Sequence, residues 1–239
     1  FRLLRGFLNW CSIRDEYKAQ VHTDACERKK KDELPKQGVK DDCLQREQLP
    51  LWFAHVRQIG NPVVAAYLQA LLLTGARREE LAGLTWEDLD FQWKSMTIRD
   101  KVEGERVIPL TPYVASLLAA LPRRNQWVFA SPRLDDCAIQ DKRTMHVKAL
   151  AAAGLPALTL HGLRRSFGTL AEWTECPAGV SAQIMGHKPS AIAEKHYRRR
   201  PLDLLRMWHT KIEGWILNEA GIEQPAEDRG HGLRVVSAV

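Results

Sequence analysis

The sequence predicts an α+β fold that is mainly α-helical, with a small three-stranded antiparallel sheet in its early part. Three observations predict it. Stretches of helical period recur along the chain between recognisable start and stop signals, such as Asn61-Pro62 and Gly75. One segment, residues 93–110, alternates with period two on both sides of a glycine turn. From residue 138 onward only helical patterns follow. Apolar residues at 45% and charged residues at 27% supply enough material for a core and argue against wholesale disorder.

The elements follow in order. Residues 1–20 read as one amphipathic helix, with Leu3, Leu4, Phe7, Leu8, Trp10 and Cys11 near one face. Phe1 in place of Met marks the chain as a piece of a longer protein, so residues 1–23 read as the last helix of a preceding domain. Residues 24–44 are polar and charged, with Arg28-Lys29-Lys30-Lys31, Pro35 and Gly38, and read as an interdomain linker. A surface loop inside one domain is the alternative. A globular domain spans 45–220. It opens with a helix over Gln48–Ile59, Pro50 falling in the first turn where its missing N–H costs nothing. Asn61 caps and Pro62 starts a second helix that runs to Thr74, and Gly75 ends it. A short helix covers Glu79–Leu84. Trp93–Arg99 and Arg106–Leu110 form a hairpin around Glu103-Gly104, and Thr111-Pro112 starts another helix. Gln126–Ala130 supplies the third strand. Helices then cover about 138–153, 160–174 and 180–186, a short one carries Tyr197, and the last spans 202–219. That last helix has a stripe of Leu204, Leu205, Trp208, Ile212, Trp215 and Ile216, which either packs on its own domain or docks on a neighbouring copy. Residues 221–239 read as a loose tail.

Several classes are excluded. No apolar run approaches the ~18–20 residues that cross a bilayer, so no membrane contact is expected. The charged start lacks the apolar core of a signal peptide. The five cysteines, Cys11, Cys26, Cys43, Cys137 and Cys176, contain no CxxC pair, which argues for free thiols in a reducing cytosol. The eight histidines include no HExxH spacing, which argues against a metal hydrolase.

Charge is unevenly placed. The chain carries 35 Lys and Arg against 29 acids, a net +6. Residues 160–211 alone hold nine Lys and Arg against four acids, a net +5. Such a face suits a phosphate backbone, although a merely solvated basic face has the same composition.

Six polar residues suggest one chemistry. Arg77 follows the helix-ending Gly75. Lys101 lies in the hairpin, which also carries Arg99 and Arg106. His161 and Arg164 are i, i+3 neighbours, His187 follows Gly186, and Tyr197 sits among Lys195, Arg198 and Arg199. A phosphodiester under attack gains negative charge on its non-bridging oxygens, which arginines answer with paired planar donors and which Lys or His answer with protons. A tyrosine can be the nucleophile and conserve the bond as a covalent ester. No acidic cluster accompanies them, which argues against two-metal nuclease chemistry.

These residues stand in Thr74-Gly75-Ala76-Arg77-Arg78-Glu79-Glu80-Leu81, Lys101-Val102-Glu103-Gly104, Leu160-His161-Gly162-Leu163-Arg164-Arg165, Met185-Gly186-His187 and Tyr197, in that order. The joint pattern, over roughly residues 44–220, resembles the catalytic domain of the tyrosine recombinases, the phage-integrase family, and in style the integrases of prophages and genomic islands. Ala76 departs from the usual Leu or Met of the first box, a packing change. The resemblance implies the tyrosine-recombinase catalytic fold for 45–220 and a truncated core-binding domain for 1–23. It implies that Tyr197 forms a 3′-phosphotyrosyl link, that Arg77 and Arg164 clamp the phosphate, and that Lys101 protonates the leaving 5′-oxygen. His161 acts as acid and base, His187 hydrogen-bonds the phosphate, and Glu80 orients Arg77 from behind. Arg165, Lys188, Arg198 and Arg199 would grip DNA. No metal and no other cofactor is implied. The implied partners are double-stranded attachment-site DNA, a homotetramer on DNA through helix 202–219 and accessory DNA-bending factors, in the bacterial cytoplasm. Tyr17, Tyr67 and Tyr113 lack a basic helical context downstream of His187 and are set aside as nucleophiles. A type IB topoisomerase-like relaxing enzyme and a DNA-binding module with vestigial residues are the alternatives.

Overall fold

The computed structural model describes residues 2–23, 42–100, 104–132, 134–140, 142–187 and 200–224. The chain divides into two compact units, Phe1–Lys40 and Asp41–Val239. In the first, helix α1 covers Arg2–Ser12, and a 3-10 turn covers Lys18–Gln20. The helix is shorter than its periodicity predicts. The Ser12 hydroxyl donates to the Asn9 carbonyl (2.8 Å) and Arg14 N–H closes a turn on Cys11 O (3.1 Å), which ends the α-helical ladder. Phe7, Trp10 and Tyr17 stack in series, with Arg14 over Trp10.

In the second unit, a 3-10 turn Arg46–Gln48 leads into α2, Leu49–Arg57. Helix α3, Pro62–Thr74, begins as expected: Asn61 Oδ1 accepts from Val63 N–H (3.0 Å) and Val64 N–H (3.4 Å). All residues from Val63 to Thr74 are buried, so α3 is the central helix on which the others pack. It ends at Gly75, whose φ of +60° is a left-handed conformation. A Cβ there would also lie 2.5 Å from Phe167 Cδ1, so the turn needs glycine on two counts. Helix α4 follows at Arg78–Ala82.

The sheet has strands β1 (Leu89–Asp90), β2 (Ser95–Asp100) and β3 (Gly104–Pro109), ordered β1-β2-β3 and antiparallel throughout. Met96 and Ile98 face the core, as the alternation predicts. Gln126–Ala130 is not the third strand. It is an extended segment that makes isolated bridges, Thr85 to Trp127 and Ala130 to Ala138, and buries Val128 and Phe129. The true edge strand is two residues long, too short to show an alternation.

Helix α5 covers Pro112–Ala119, α6 Arg143–Ala152, α7 Leu160–Glu172, α8 Ala178–Met185 and α9 Leu202–Glu219. Helix α6 starts later than 138 because the bridge at Ala138 and the Ile139 N–H to Phe129 O bond (2.8 Å) hold that stretch extended. Helix α9 buries Leu205, His209, Ile212, Glu213, Ile216 and Leu217 within its own unit. Glu213 accepts from the N–H groups of Tyr113 (2.9 Å) and Val114 (3.2 Å) and from the Thr111 hydroxyl, capping α5 from a distance of 102 residues in sequence. The start of the tail folds back, Gln224 Nε2 donating to Gly214 O (2.9 Å). Among the described residues, no helix is long and apolar enough to cross a membrane.

Candidate active site

Four stretches of chain contribute to the site, three of them turns. The first is the α3–α4 turn with Arg77. Its backbone N–H donates to Glu80 Oε2 (2.9 Å) and its Nη1 to Glu80 Oε1 (2.7 Å), so Glu80 both caps α4 and orients the guanidinium. Arg77 Nη2 reaches the Gly186 carbonyl (3.3 Å), and the Arg77 side chain remains 33% exposed, enough to meet a ligand.

The second is the start of α7. The hydroxyl of Thr159 accepts from Gly162 N–H (2.9 Å) and caps the helix. This sets His161 in the first turn, exposed, and Arg164 one turn on, buried. Arg164 Nη1 donates to Gly75 O (2.6 Å) and to Met185 O (2.7 Å), the carbonyls at the C-terminal ends of α3 and α8. One arginine thus brings the Arg77 turn and the His187 turn to the same place. Partial desolvation and the nearby Arg165, Arg164 and Arg77 push the His161 pKa below its ordinary value, against an opposing pull from Asp42. The shift favours the neutral imidazole, the form that can accept a proton.

The third is the end of α8. Gly186, at φ +74°, turns the chain out of the helix into exposed His187, whose N–H bonds Ala182 O (2.9 Å). Gln183 reaches from the same helix to both backbone groups of Arg200, Nε2 to its carbonyl (3.1 Å) and Oε1 from its N–H (3.2 Å).

The fourth is the hairpin, in register to its last described pair, Asp100 with Gly104. Lys101 lies outside the described residues, as do Tyr197 with the short helix expected around it, Lys188, Arg198 and Arg199. The contacts tie Arg77, Glu80 and Arg164 to the Gly186–His187 turn, and His161 lies one helical turn before Arg164 on α7. Arg165 is engaged within the unit. It pairs with Asp42, whose carboxylate also accepts from the Thr159 hydroxyl (2.6 Å) and N–H (3.0 Å). Among the described residues, no three His, Cys, Asp or Glu side chains are grouped to hold a metal ion.

Sequence reasoning missed two residues of this neighbourhood. Asp42, placed in the linker, pins the start of α7. Arg106 chelates Glu80, Nη1 to Oε1 (3.1 Å) and Nη2 to Oε2 (2.7 Å). A signal for Arg106 existed: it is two residues before core Ile108 on β3, so it points to the same inner face. An arginine pointing inward requires an acid. Burial pushes the Glu80 carboxyl up, but the bonds from Arg106 and Arg77 outweigh it and keep Glu80 ionised.

The Phage integrase family matches residues 44–201, and the Phage integrase core-binding domain matches residues 1–33. Prophage integrase IntF of Escherichia coli (strain K12) is 57% identical over 231 residues, 93% of this chain and 49% of that protein. The chain thus spans about half the length of that curated relative. The fold is similar to that of XerH site-specific recombinase solved on difH in a pre-cleavage complex. The TM-score is 0.59 at 16% identity, over 84% of this chain and 60% of that one. It is also similar to a lambda integrase tetramer solved on a Holliday junction, with TM-score 0.54 at 15% identity over 82% and 57% of the two chains.

Proposed function

Because the chain belongs to the phage integrase family, we propose that it cleaves and rejoins DNA as a site-specific recombinase that integrates or excises a mobile element. The observation that carries this reading is the convergence of Arg77, Arg164 and the Gly186–His187 turn, with His161 one helical turn before Arg164. Two guanidiniums, with His161 and His187 on adjoining turns, suit a phosphodiester gaining charge.

In this reading Tyr197 attacks the scissile phosphorus. The new bond joins the tyrosine oxygen to phosphorus as a 3′-phosphotyrosyl ester, the bond to the 5′-oxygen breaks, and its electron pair leaves with that oxygen. His161 takes the tyrosine proton and Lys101 gives a proton to the leaving 5′-oxygen. Arg77, Arg164 and His187 hold the non-bridging oxygens. A 5′-hydroxyl of a partner strand reverses the step, so strand exchange is nearly neutral in energy.

The partner is duplex attachment-site DNA, with Arg165, Lys188, Arg198 and Arg199 adding backbone contacts. Assembly on DNA is proposed as a homotetramer. The lambda integrase tetramer on a Holliday junction supports it. The inner stripe of α9 is already used within its own unit, so a neighbouring copy would meet the outer row, Leu204 and Met207, which is exposed. Residues 1–23 would be the last helix of a core-binding domain, 24–44 a linker, 45–220 the catalytic domain and 221–239 a tail. The match of the core-binding family over residues 1–33 supports the first assignment. Action on chromosomal DNA implies the bacterial cytoplasm.

The test is a denaturing gel of the full chain incubated with nicked, labelled attachment-site DNA. A protein–DNA adduct is expected from the wild type and none from Tyr197→Phe. An adduct from Tyr197→Phe, or none from the wild type, overturns the reading.

A further inference from the structure

Arg106 has no part in the cradle above, yet it starts from the hairpin and its guanidinium reaches two of the other stretches that build it, α4 and the end of α8. It starts from β3, just after the hairpin connection. It chelates Glu80 through both terminal nitrogens, and its Nε donates to the Ile184 carbonyl in the last turn of α8 (3.3 Å). Its guanidinium also lies flat against Gly186: a Cβ there would sit 2.6 Å from Arg106 Cζ and 2.7 Å from Nε. The lack of a side chain at Gly186 is what admits Arg106.

The Glu80 carboxylate is thereby shared. Oε1 accepts from Arg77 Nη1 and Arg106 Nη1, and Oε2 from Arg77 N–H and Arg106 Nη2. Four donors saturate its acceptor sites, so it cannot rotate without breaking a bond. Glu80 and Arg106 are both largely buried, at 4% and 18% exposure of their side chains. A buried ion pair adds little net stability over an apolar pair of the same shape, so stability is a weak reason for this arrangement. Geometry is a better one. With Arg106 absent, Glu80 keeps only the Arg77 bonds, and the α8 turn loses its tie to the hairpin.

We propose that Arg106 is a positioning residue for strand cleavage, holding Glu80, and through it Arg77, at a fixed spacing from the Gly186–His187 turn and the hairpin. This rests on the recombinase reading for what the site does, but the contacts themselves do not depend on it. A misplacement of about 1 Å in a reacting group costs on the order of 10²-fold in rate. Arg106 is engaged with Glu80 and Ile184 and so is expected to leave DNA affinity unchanged.

The experiment uses the full chain and the nicked DNA of the previous test, with Arg106→Ala, Arg106→Lys, Glu80→Gln and Glu80→Gln/Arg106→Ala. Three quantities are read: the rate of adduct formation at saturating DNA, the DNA dissociation constant, and amide hydrogen exchange at Gly186 and His187 in the free protein. Arg106→Ala is expected to slow adduct formation about 10²-fold at unchanged DNA affinity. Arg106→Lys, which keeps the charge but cannot chelate, falls between. The double variant is no slower than the worse single one, because both act through one contact. Exchange at Gly186 and His187 accelerates in Arg106→Ala. Adduct formation at the wild-type rate in Arg106→Ala overturns the proposal, as does a loss of rate matched by an equal loss of affinity. A wild type without adduct overturns the recombinase reading instead. The exchange measurement then still decides: unchanged exchange removes the positioning role, and faster exchange retains it. Should Arg106→Ala not fold, the same readings on Arg106→Lys decide.

Discussion

Asp42 ties the start of the second unit to helix α7, which carries His161 and Arg164, and replacing it by Asn should loosen that helix measurably. Its carboxylate accepts from Thr159 N–H, from the Thr159 hydroxyl and from Arg165. The Thr159 hydroxyl in turn caps α7 through Gly162 N–H. Two residues on, Leu44 N–H donates to Ser166 Oγ (2.7 Å), so this stretch is stitched along the helix that carries His161 and Arg164. Partial burial raises the Asp42 pKa, but Thr159 and Arg165 prevail and bring it from 3.8 to about 2. At about 1.4 kcal/mol for each tenfold change in acidity, this corresponds to about 2 kcal/mol of stability at pH 7. The carboxylate lies close to solvent, where its bonds to Thr159 are exposed, so screening reduces this to about 1 kcal/mol. The sign follows from the lowered value. The contribution is complete above the unfolded pKa of 3.8 and is lost as pH falls through about 2. Urea unfolding of the wild type and Asp42→Asn, followed by tryptophan fluorescence, should differ by about 1 kcal/mol at pH 7 and about half that at pH 3. A deficit below about 0.5 kcal/mol at pH 7, the range of an ordinary surface change, would refute the reasoning. An equal deficit at both pH values would also refute it, since it would not come from the charge.

Three further outcomes are expected. Gly186→Ala forces a side chain into a left-handed turn and against the Arg106 guanidinium, costing about 1–2 kcal/mol for the backbone alone and slowing adduct formation. A thermal melt and the adduct gel check both. Arg164→Ala removes a phosphate donor and leaves the Gly75 and Met185 carbonyls without it, so cleavage should fall by about 10²–10³-fold. Near-normal cleavage would count against the clamp. Burial lowers the pKa of His209 from 6.5 to about 4, so the folded state resists its protonation. Stability should decline as pH falls from 6.5 to 4, and His209→Gln should make that decline shallower in parallel urea melts.

The parts of this protein that were legible in its sequence are those whose cause is local. Asn61-Pro62 and Gly75 fix both ends of α3 because caps act within one turn, and helix Leu202–Glu219 was legible from its stripe. The turns that carry Arg77 and His187 were legible because Gly75 and Gly186 end their helices in left-handed conformations, and the proposed phosphate cradle would place its residue types at such turns. The rest depends on partners distant in sequence. Glu213 caps α5 across 102 positions, and Asp42 meets Thr159 across 117. No window of sequence contains both members of such a pair. The two-residue strand Leu89–Asp90 fails for a different reason, since alternation cannot show in one step. In its place Gln126–Ala130 has strand composition but finds only isolated bridges.

The same distinction explains how two arginines can stand together before any phosphate arrives. Guanidiniums held side by side repel, and a cradle left to itself would open. Here Arg164 donates into the C-terminal carbonyls of α3 and α8, the negative ends of two helix dipoles. Arg77 donates to Glu80 and to the Gly186 carbonyl. Each cation is answered by a group that is itself fixed, by the wholly buried α3, by the left-handed Gly75 and Gly186 turns, or by Arg106 behind Glu80. The donors therefore need little reorganisation when charge develops on a phosphate, the condition under which such stabilisation is largest. The arrangement also orders the variants. A change at Arg77 or Arg164 removes a donor, whereas one at Arg106, Gly186 or Asp42 leaves every donor present and moves it. The first group should lose rate even with the fold intact, and the second should lose rate in proportion to how far the turns relax.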